Sequence, residues 1–241
     1  MHAIVLLSGG LDSTTVATHA VRQGHQVRAL SIGYGQRHLR ELRSARAVAE
    51  RLGIPLIEVD AGFYAGLASH SALTSDAHAI PEHRDPARMS ADVPITYVPL
   101  RNTFFVTLAA AALESWLLDE IERNGADPAA LEGAIYVGAN AIDYSGYPDC
   151  RPEFYDAITE TIRLGSKVGT AYRVPIRIEA PIITMSKADI VRHGIELGAP
   201  LELTWSCYAG GERPCGACDS CELRAAGFAA AGVPDPALAA P

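Results

Sequence analysis

The stretch Ala3-Ile4-Val5-Leu6-Leu7-Ser8-Gly9-Gly10-Leu11-Asp12-Ser13-Thr14 decides how the chain is read. A short apolar run closed by a turn signal predicts a buried strand, and the pattern from Leu11 to about Gln23 predicts a helix. Ser8 to Thr14 is then the turn between them. Its two glycines admit positive φ and close backbone approach, while the amides and dipole of the following helix start favour an anion. Ser8, Ser13 and Thr14 add hydroxyl donors. A Walker A loop would carry a lysine beside the Ser/Thr pair, and this turn has none. The loop therefore suits pyrophosphate held as a leaving group, with attack at the α-phosphate and AMP as product; on residues alone, ADP and phosphate stay open. The plain alternative is an ordinary sheet turn with Ser or Asp capping the helix.

Outward from the loop, Gln26 to Ile32 predicts a second strand, Leu39 to Leu52 a helix stopped by Gly53, and Leu56 to Val59 a third strand. Alternation of this kind predicts an α/β fold, a doubly wound parallel sheet with ligand sites at the carboxyl ends of its strands. Residues 60–95 lack a period and read as a long irregular excursion near the site mouth. Thr103 to Leu117 is apolar nearly all round, which predicts a buried helix with Asn102 as N-cap. Leu118 to Glu132 reads as a surface insertion, Ile135 to Gly138 as a fourth strand and Pro152 to Leu164 as a helix started by proline. Ser186-Lys187-Ala188-Asp189 forms a variant capping box.

A chain of 241 residues with 49% hydrophobic content can bury a sizeable core. The expected organisation is a nucleotide-binding domain over residues 1–204, a small module over 205–228 and a flexible tail over 229–241. The apolar start is too short to cross a bilayer and lacks a basic leader, so a cytoplasmic protein without membrane contact is expected. A net charge of −8 argues against direct nucleic-acid binding.

Four of the five cysteines, Cys207, Cys215, Cys218 and Cys221, fall within fifteen residues. Two overlapping CxxC spacings let the thiolates face one ion, and four soft ligands suit tetrahedral zinc; redox-active thiols are the alternative. A closed four-thiolate shell leaves no position for substrate, so one structural Zn²⁺ is expected.

Further clusters stand at predicted strand ends: Tyr34-Gly35-Gln36-Arg37-His38, Val98 to Asn102, and Gly138-Ala139-Asn140 running on to Arg151. Singly, each suits packing, surface charge or a turn. Cys150 reads as a small buried residue, not a nucleophile.

The SGGxDS string resembles the signature of the PP-loop ATP pyrophosphatase superfamily. From residue 3 to about 228, the chain is similar to the 7-cyano-7-deazaguanine synthase family. The likeness rests on the loop, Tyr34 to His38, Asp143 through Arg151, Ser186-Lys187 and Trp205-Ser206-Cys207-Tyr208 with the three later cysteines. The family carries a glycine where Leu100 stands, a departure that bears on the backbone path before Arg101.

This resemblance implies a queuosine biosynthesis ligase: 7-carboxy-7-deazaguanine, ammonia and ATP give the nitrile through an adenylated acid and an adenylated amide. It implies ATP held by Leu7-Ser8-Gly9-Gly10-Leu11-Asp12-Ser13-Thr14-Thr15-Val16-Ala17, and Mg²⁺ on Asp12. Catalysis is assigned to Ser8, Asp12, Ser13, Arg101 and Lys187. Substrate contacts fall to Tyr34, Gln36, Arg37, His38, Asn140, Asp143, Tyr144, Asp149 and Arg151, and a homodimer is implied. The rival readings are another PP-loop adenylating enzyme, such as a tRNA thiolase, and a non-catalytic nucleotide-binding zinc protein.

Overall fold

The computed structural model describes residues 1–36, 40–83, 93–141 and 147–238. The first apolar run forms β1 (His2–Leu6), and its side chains alternate between two cores. Ile4 enters one, Ala3 and Val5 the other, and all three are fully buried. A strand covered on both faces reads as continuously apolar for this reason. Each such Ile or Val contributes roughly 1.5–3 kcal/mol of burial.

After α1 (Leu11–Arg22) come β2 (Gln26–Gly33), α2 (Arg40–Leu52), β3 (Leu56–Asp60) and the short α3 (Tyr64–Leu67). Then follow α4 (Arg101–Leu118), β4 (Gly133–Tyr136), α5 (Pro152–Gly165), α6 (Lys167–Thr170), β5 (Ile176–Glu179), α7 (Lys187–Leu197) and α8 (Asp219–Ala231). The sheet runs β3-β2-β1-β4-β5, and every neighbouring pair is parallel. The doubly wound α/β expectation holds. The chain builds outward from β1 to β3 and then returns to add β4 on the other side of β1. A crevice therefore opens between the carboxyl ends of β1 and β4, where such sheets hold ligands.

Three local expectations change. The fourth strand lies two residues earlier than expected, because Gly133 and Ala134 already pair with Ile176 and Arg177. Beyond it the chain turns aside at Gly138, where a Cβ would stand 3.1 Å from the Ser13 backbone. The strand β5 has no counterpart among the expected elements: it pairs only with β4, and its Ile-Arg-Ile-Glu alternation lacks the apolar run that marks an inner strand. The helix α4 is not buried all round, since Thr107, Ala111 and Ser115 form an exposed stripe opposite Val106, Ala109 and Leu113.

Asn102 is not the N-cap of α4. Leu100 precedes that helix at φ 54° and ψ 22°, without a side-chain cap of its own. The capping acceptor comes from elsewhere in the chain, as the Asp149 carboxylate accepts from Asn102 N at 3.2 Å. The capping box at Ser186 is present, with Ser186 and Asp189 each bonding the other's backbone amide. At the chain end, α8 runs past the expected boundary at 228, packs against α7, and is followed by Asp235 paired with Arg224. Among the described residues, no helix is long and apolar enough to cross a membrane.

Candidate active site

The first wall of the cavity is the glycine loop. Gly9 adopts φ 83°, and a Cβ there would lie 2.5 Å from both Glu41 O and Ala45 N, so only glycine lets α2 press this closely. Gly9 O accepts from Trp205 N at 2.9 Å, which ties the loop to the C-terminal segment. Gly10 is the N-cap of α1 and uses no side chain, contrary to the Ser or Asp cap of the plain alternative. The two serines bond across the loop instead, with Ser8 Oγ 3.0 Å from Ser13 Oγ. Gly10 N donates to Ser8 Oγ, and Ser13 Oγ donates to Gly10 O, both at 3.3 Å. Gly10, Leu11, Asp12 and Ser13, at the start of α1 where helix amides lack intrahelical partners, line the cavity, as an anion site requires. Thr14, Thr15, Val16 and Ala17 are buried in α1 behind the loop and do not line the cavity.

Lys187 supplies the cation that the loop lacks. Its Nζ donates to Asp12 Oδ1 at 2.9 Å and Oδ2 at 2.8 Å, joining residues 175 positions apart. Three features hold the lysine there: it opens α7 directly after the capping box, α8 presses on its stem, and Asn140 secures the preceding turn. A Cβ on Gly227 would lie 2.3 Å from Lys187 Cγ. Asn140 Nδ2 donates to Ile182 O at 3.0 Å and to Met185 O at 2.6 Å. Both oxygens of Asp12, the expected Mg²⁺ ligand, are thus engaged by the lysine.

The opposite end is aromatic. Tyr34 is buried, with Arg101 over its ring at 5.9 Å and Phe105 edge-on at 5.4 Å. Gln36 Oε1 accepts from Tyr34 N at 2.8 Å. Burial alone would weaken the Arg101 charge, but Tyr34, Tyr147, Asp149 and Cys150 around it outweigh that and hold the guanidinium above its ordinary range. Asp149 is held above the usual carboxylate range by burial, partly offset by Arg101. Burial pushes the Cys150 thiol up to about 11, and Asn102 Nδ2 lies 3.4 Å from its sulfur. Such a thiol is a poor nucleophile at neutral pH. Glu41, which no sequence pattern marked, also lines the cavity, and burial raises its carboxyl to about 7 against the pull of Arg101.

The cysteine segment forms the remaining wall. The sulfurs of Cys207, Cys215, Cys218 and Cys221 lie within 4.8 Å of one another. Cys215 N and Ala209 N approach the Cys207 sulfur at 3.3 and 3.4 Å, and Cys218 N approaches the Cys215 sulfur at 3.4 Å. Four converging soft donors with amide support fit one tetrahedral metal ion. Trp205 packs on this cluster, donates Nε1–H to Cys207 O at 3.0 Å and lies under the Arg40 guanidinium. Trp205, Ser206, Tyr208 and Arg224 line the same cavity as the glycine loop.

One cavity thus brings together Leu7, Ser8, Gly10, Leu11, Asp12, Ser13, Tyr34, Gln36, Arg101, Asn140 and Lys187 of the expected site. Asp149 stands behind its wall as the α4 cap, and Arg151 is exposed at the start of α5, outside the lining. Arg37, His38, Asp143 and Tyr144 lie outside the described residues. Glu41, Phe105, Tyr155 and Arg224 join the lining without a local signal, because each is an ordinary helix residue until the fold brings it here, and Tyr147 joins it from within the Asp143 to Arg151 string.

Comparison with known proteins agrees along nearly the whole chain. The family described as Queuosine biosynthesis protein QueC matches residues 2–232. The 7-cyano-7-deazaguanine synthase of Nostoc punctiforme is 44% identical over 239 residues, covering 98% of this chain and 98% of that protein. The enzyme of the same name from Thermoplasma acidophilum is 46% identical over 236 residues, covering 97% of this chain and 90% of that protein. Among solved structures, NMN synthetase from Francisella tularensis aligns at a TM-score of 0.40 and 15% identity, across 89% of this chain and 70% of that one.

Proposed function

Because the chain belongs to the QueC family of queuosine biosynthesis proteins, we propose that it is an ATP-dependent ligase making 7-cyano-7-deazaguanine from 7-carboxy-7-deazaguanine and ammonia. The observation that carries this reading is the single cavity in which an anion-binding loop, the Asp12–Lys187 pair and the Tyr34–Arg101 box face one another.

A carboxylate is a poor electrophile. ATP supplies the activation, by turning the acid and later the amide into an adenylate whose departing group is AMP. Ser8 to Thr14 grips the phosphates through the α1 amides and the Ser8 and Ser13 hydroxyls. Lys187 neutralises charge developing at the α-phosphate and is aimed by Asp12. Asp12, which also aims Lys187, would hold Mg²⁺, and the ion would supply further neutralisation of phosphate charge. Arg101 offers its fork to the substrate carboxylate, and Tyr34 and Phe105 present aromatic faces to a flat heterocycle.

Arg37, His38, Asp143 and Tyr144 contact the acceptor substrate in this reading, and Asp149 positions Arg101 from behind the wall. Zinc on the four cysteines is structural: it orders the segment that places Trp205, and it takes no part in the chemistry. The enzyme works in the cytoplasm as a homodimer on small molecules, with no direct contact to tRNA.

Purified protein with 7-carboxy-7-deazaguanine, ATP, Mg²⁺ and ammonium should yield the nitrile and AMP by mass spectrometry. Absence of nitrile from folded, metal-loaded protein would sink the proposal.

A further inference from the structure

A carboxyl on the cavity wall has been given no task. Glu41 stands in the first turn of α2, and its backbone carbonyl abuts Gly9, so the residue is fixed against the glycine loop. Its side chain lines the cavity within electrostatic reach of Tyr34 and Arg101. Among the described residues, no side chain forms a hydrogen bond or ion pair with it. The other cavity acid, Asp12, is spent on Lys187. Among the described residues lining the cavity, the remaining titratable groups are Tyr34, Tyr147, Cys150, Tyr155 and Tyr208, beside the cations Arg101, Lys187 and Arg224; Arg224 is itself clasped by Asp235. Asp12 and Glu41 are the carboxylates of this lining.

We propose that Glu41 is the catalytic base of the two nitrogen steps, taking the proton that each must shed. The assignment rests on the ligase reading above. In the first step the ammonia nitrogen bonds to the activated carbonyl carbon, and the bond from that carbon to the AMP oxygen breaks with its electron pair leaving on AMP. One proton passes from nitrogen to the Glu41 carboxylate, and the amide remains. In the second, the amide gives up one N–H proton to solvent as its oxygen is adenylated, and the resulting imidate loses its remaining N–H proton to Glu41 as the carbon–oxygen bond to AMP breaks and the nitrile forms. Between the steps, solvent at the cavity mouth takes the proton from Glu41. A carboxyl whose burial sets it to about 7 is matched to that exchange at neutral pH.

The test compares wild type, Glu41→Gln and Glu41→Asp in two assays: pyrophosphate exchange dependent on the carboxylate substrate, and nitrile formation from pH 5.5 to 9, a range of roughly three units chosen to bracket a base near neutrality. In Glu41→Gln, exchange should stay within about twofold, while nitrile formation falls roughly 100-fold, the usual contribution of a general base, and loses its rise through pH 7. Glu41→Asp should keep that rise at a lower rate. Wild-type nitrile formation by Glu41→Gln would overturn the assignment alone. So would equal loss of exchange and nitrile in a folded variant, which would mark a structural or nucleotide-binding role. No nitrile from the wild type would overturn the ligase reading and this assignment with it.

Discussion

At one end of the cavity, a single run from Ser8 to Ser13 supplies most of the wall, with Lys187 brought in opposite. At the other, Tyr34, Glu41, Arg101, Tyr147 and Tyr155 come from separate segments, and their charges are set by burial and by one another. The first end is polar and takes its shape from backbone; the second is a packed box around one guanidinium. Residues within the loop answer to local geometry, whereas residues in the box answer to neighbours distant in sequence.

The largest effect that would break this comparison is at the loop end. Asp12→Ala leaves the Lys187 ammonium without its carboxylate, and turnover should fall at least about 1000-fold, as expected when an aimed charge at the reacting phosphate is lost. Steady-state rates check it, and a loss below tenfold would show that the lysine is held well enough by α7 and α8 alone. At the acceptor end, Arg101→Ala should cost about 100-fold in kcat/KM, carried chiefly by KM for the carboxylate substrate and not by KM for ATP. Equal shifts in both KM values would erase the distinction between the two ends.

A smaller effect concerns stability. In the folded protein the Glu41 carboxyl titrates at about 7, above its ordinary 4.5, so folding binds its proton more tightly. With respect to this group, stability is full below the unfolded value and declines as pH rises through the folded one. Glu41→Gln should therefore be more stable than wild type at pH 8 by about 1–2 kcal/mol, a figure discounted for the residue's partial exposure, with the gap closing toward pH 4.5. Urea titrations across that range measure it. The smallest effect is at Leu100, whose side chain is 63% exposed while its backbone sits at φ 54°. Leu100→Gly relieves left-handed strain but frees the unfolded chain, so a net gain of about 0.5 kcal/mol is expected, read as a slightly higher Tm.

Sequence legibility follows the same division. The loop, the capping box at Ser186 and the cysteine convergence are readable because each depends on residues within about fifteen positions of one another, and the parallel sheet is readable from the alternation of strands and helices even though its paired strands are distant in sequence. The cap of α4 was not, since Asp149 reaches Asn102 from 47 residues away. Asn140 lines the cavity, but that its amide also secures the turn leading into Lys187 depends on Ile182 and Met185, more than forty residues away. Arg151 shares a motif with Asp149 and Cys150, but opening α5 turns it outward. At Leu100 the residue expected to disturb the path before Arg101 adopts the left-handed conformation itself. The edge strand β5 escaped because its polar alternation reflects cover on fewer sides.

The contact between Gly227 and the stem of Lys187 has a meaning in the order of biosynthesis. The glycine loop leaves the ribosome before its counter-charge, which follows 175 residues later. Only when α8 has emerged, and Asp235 has clasped Arg224, is the lysine backed from behind. A nascent or prematurely terminated chain would carry the whole phosphate grip without the wall that aims its cation. The helix that backs the lysine is thus made long after the loop the lysine faces, so this half of the cavity is assembled only once α8 is in place.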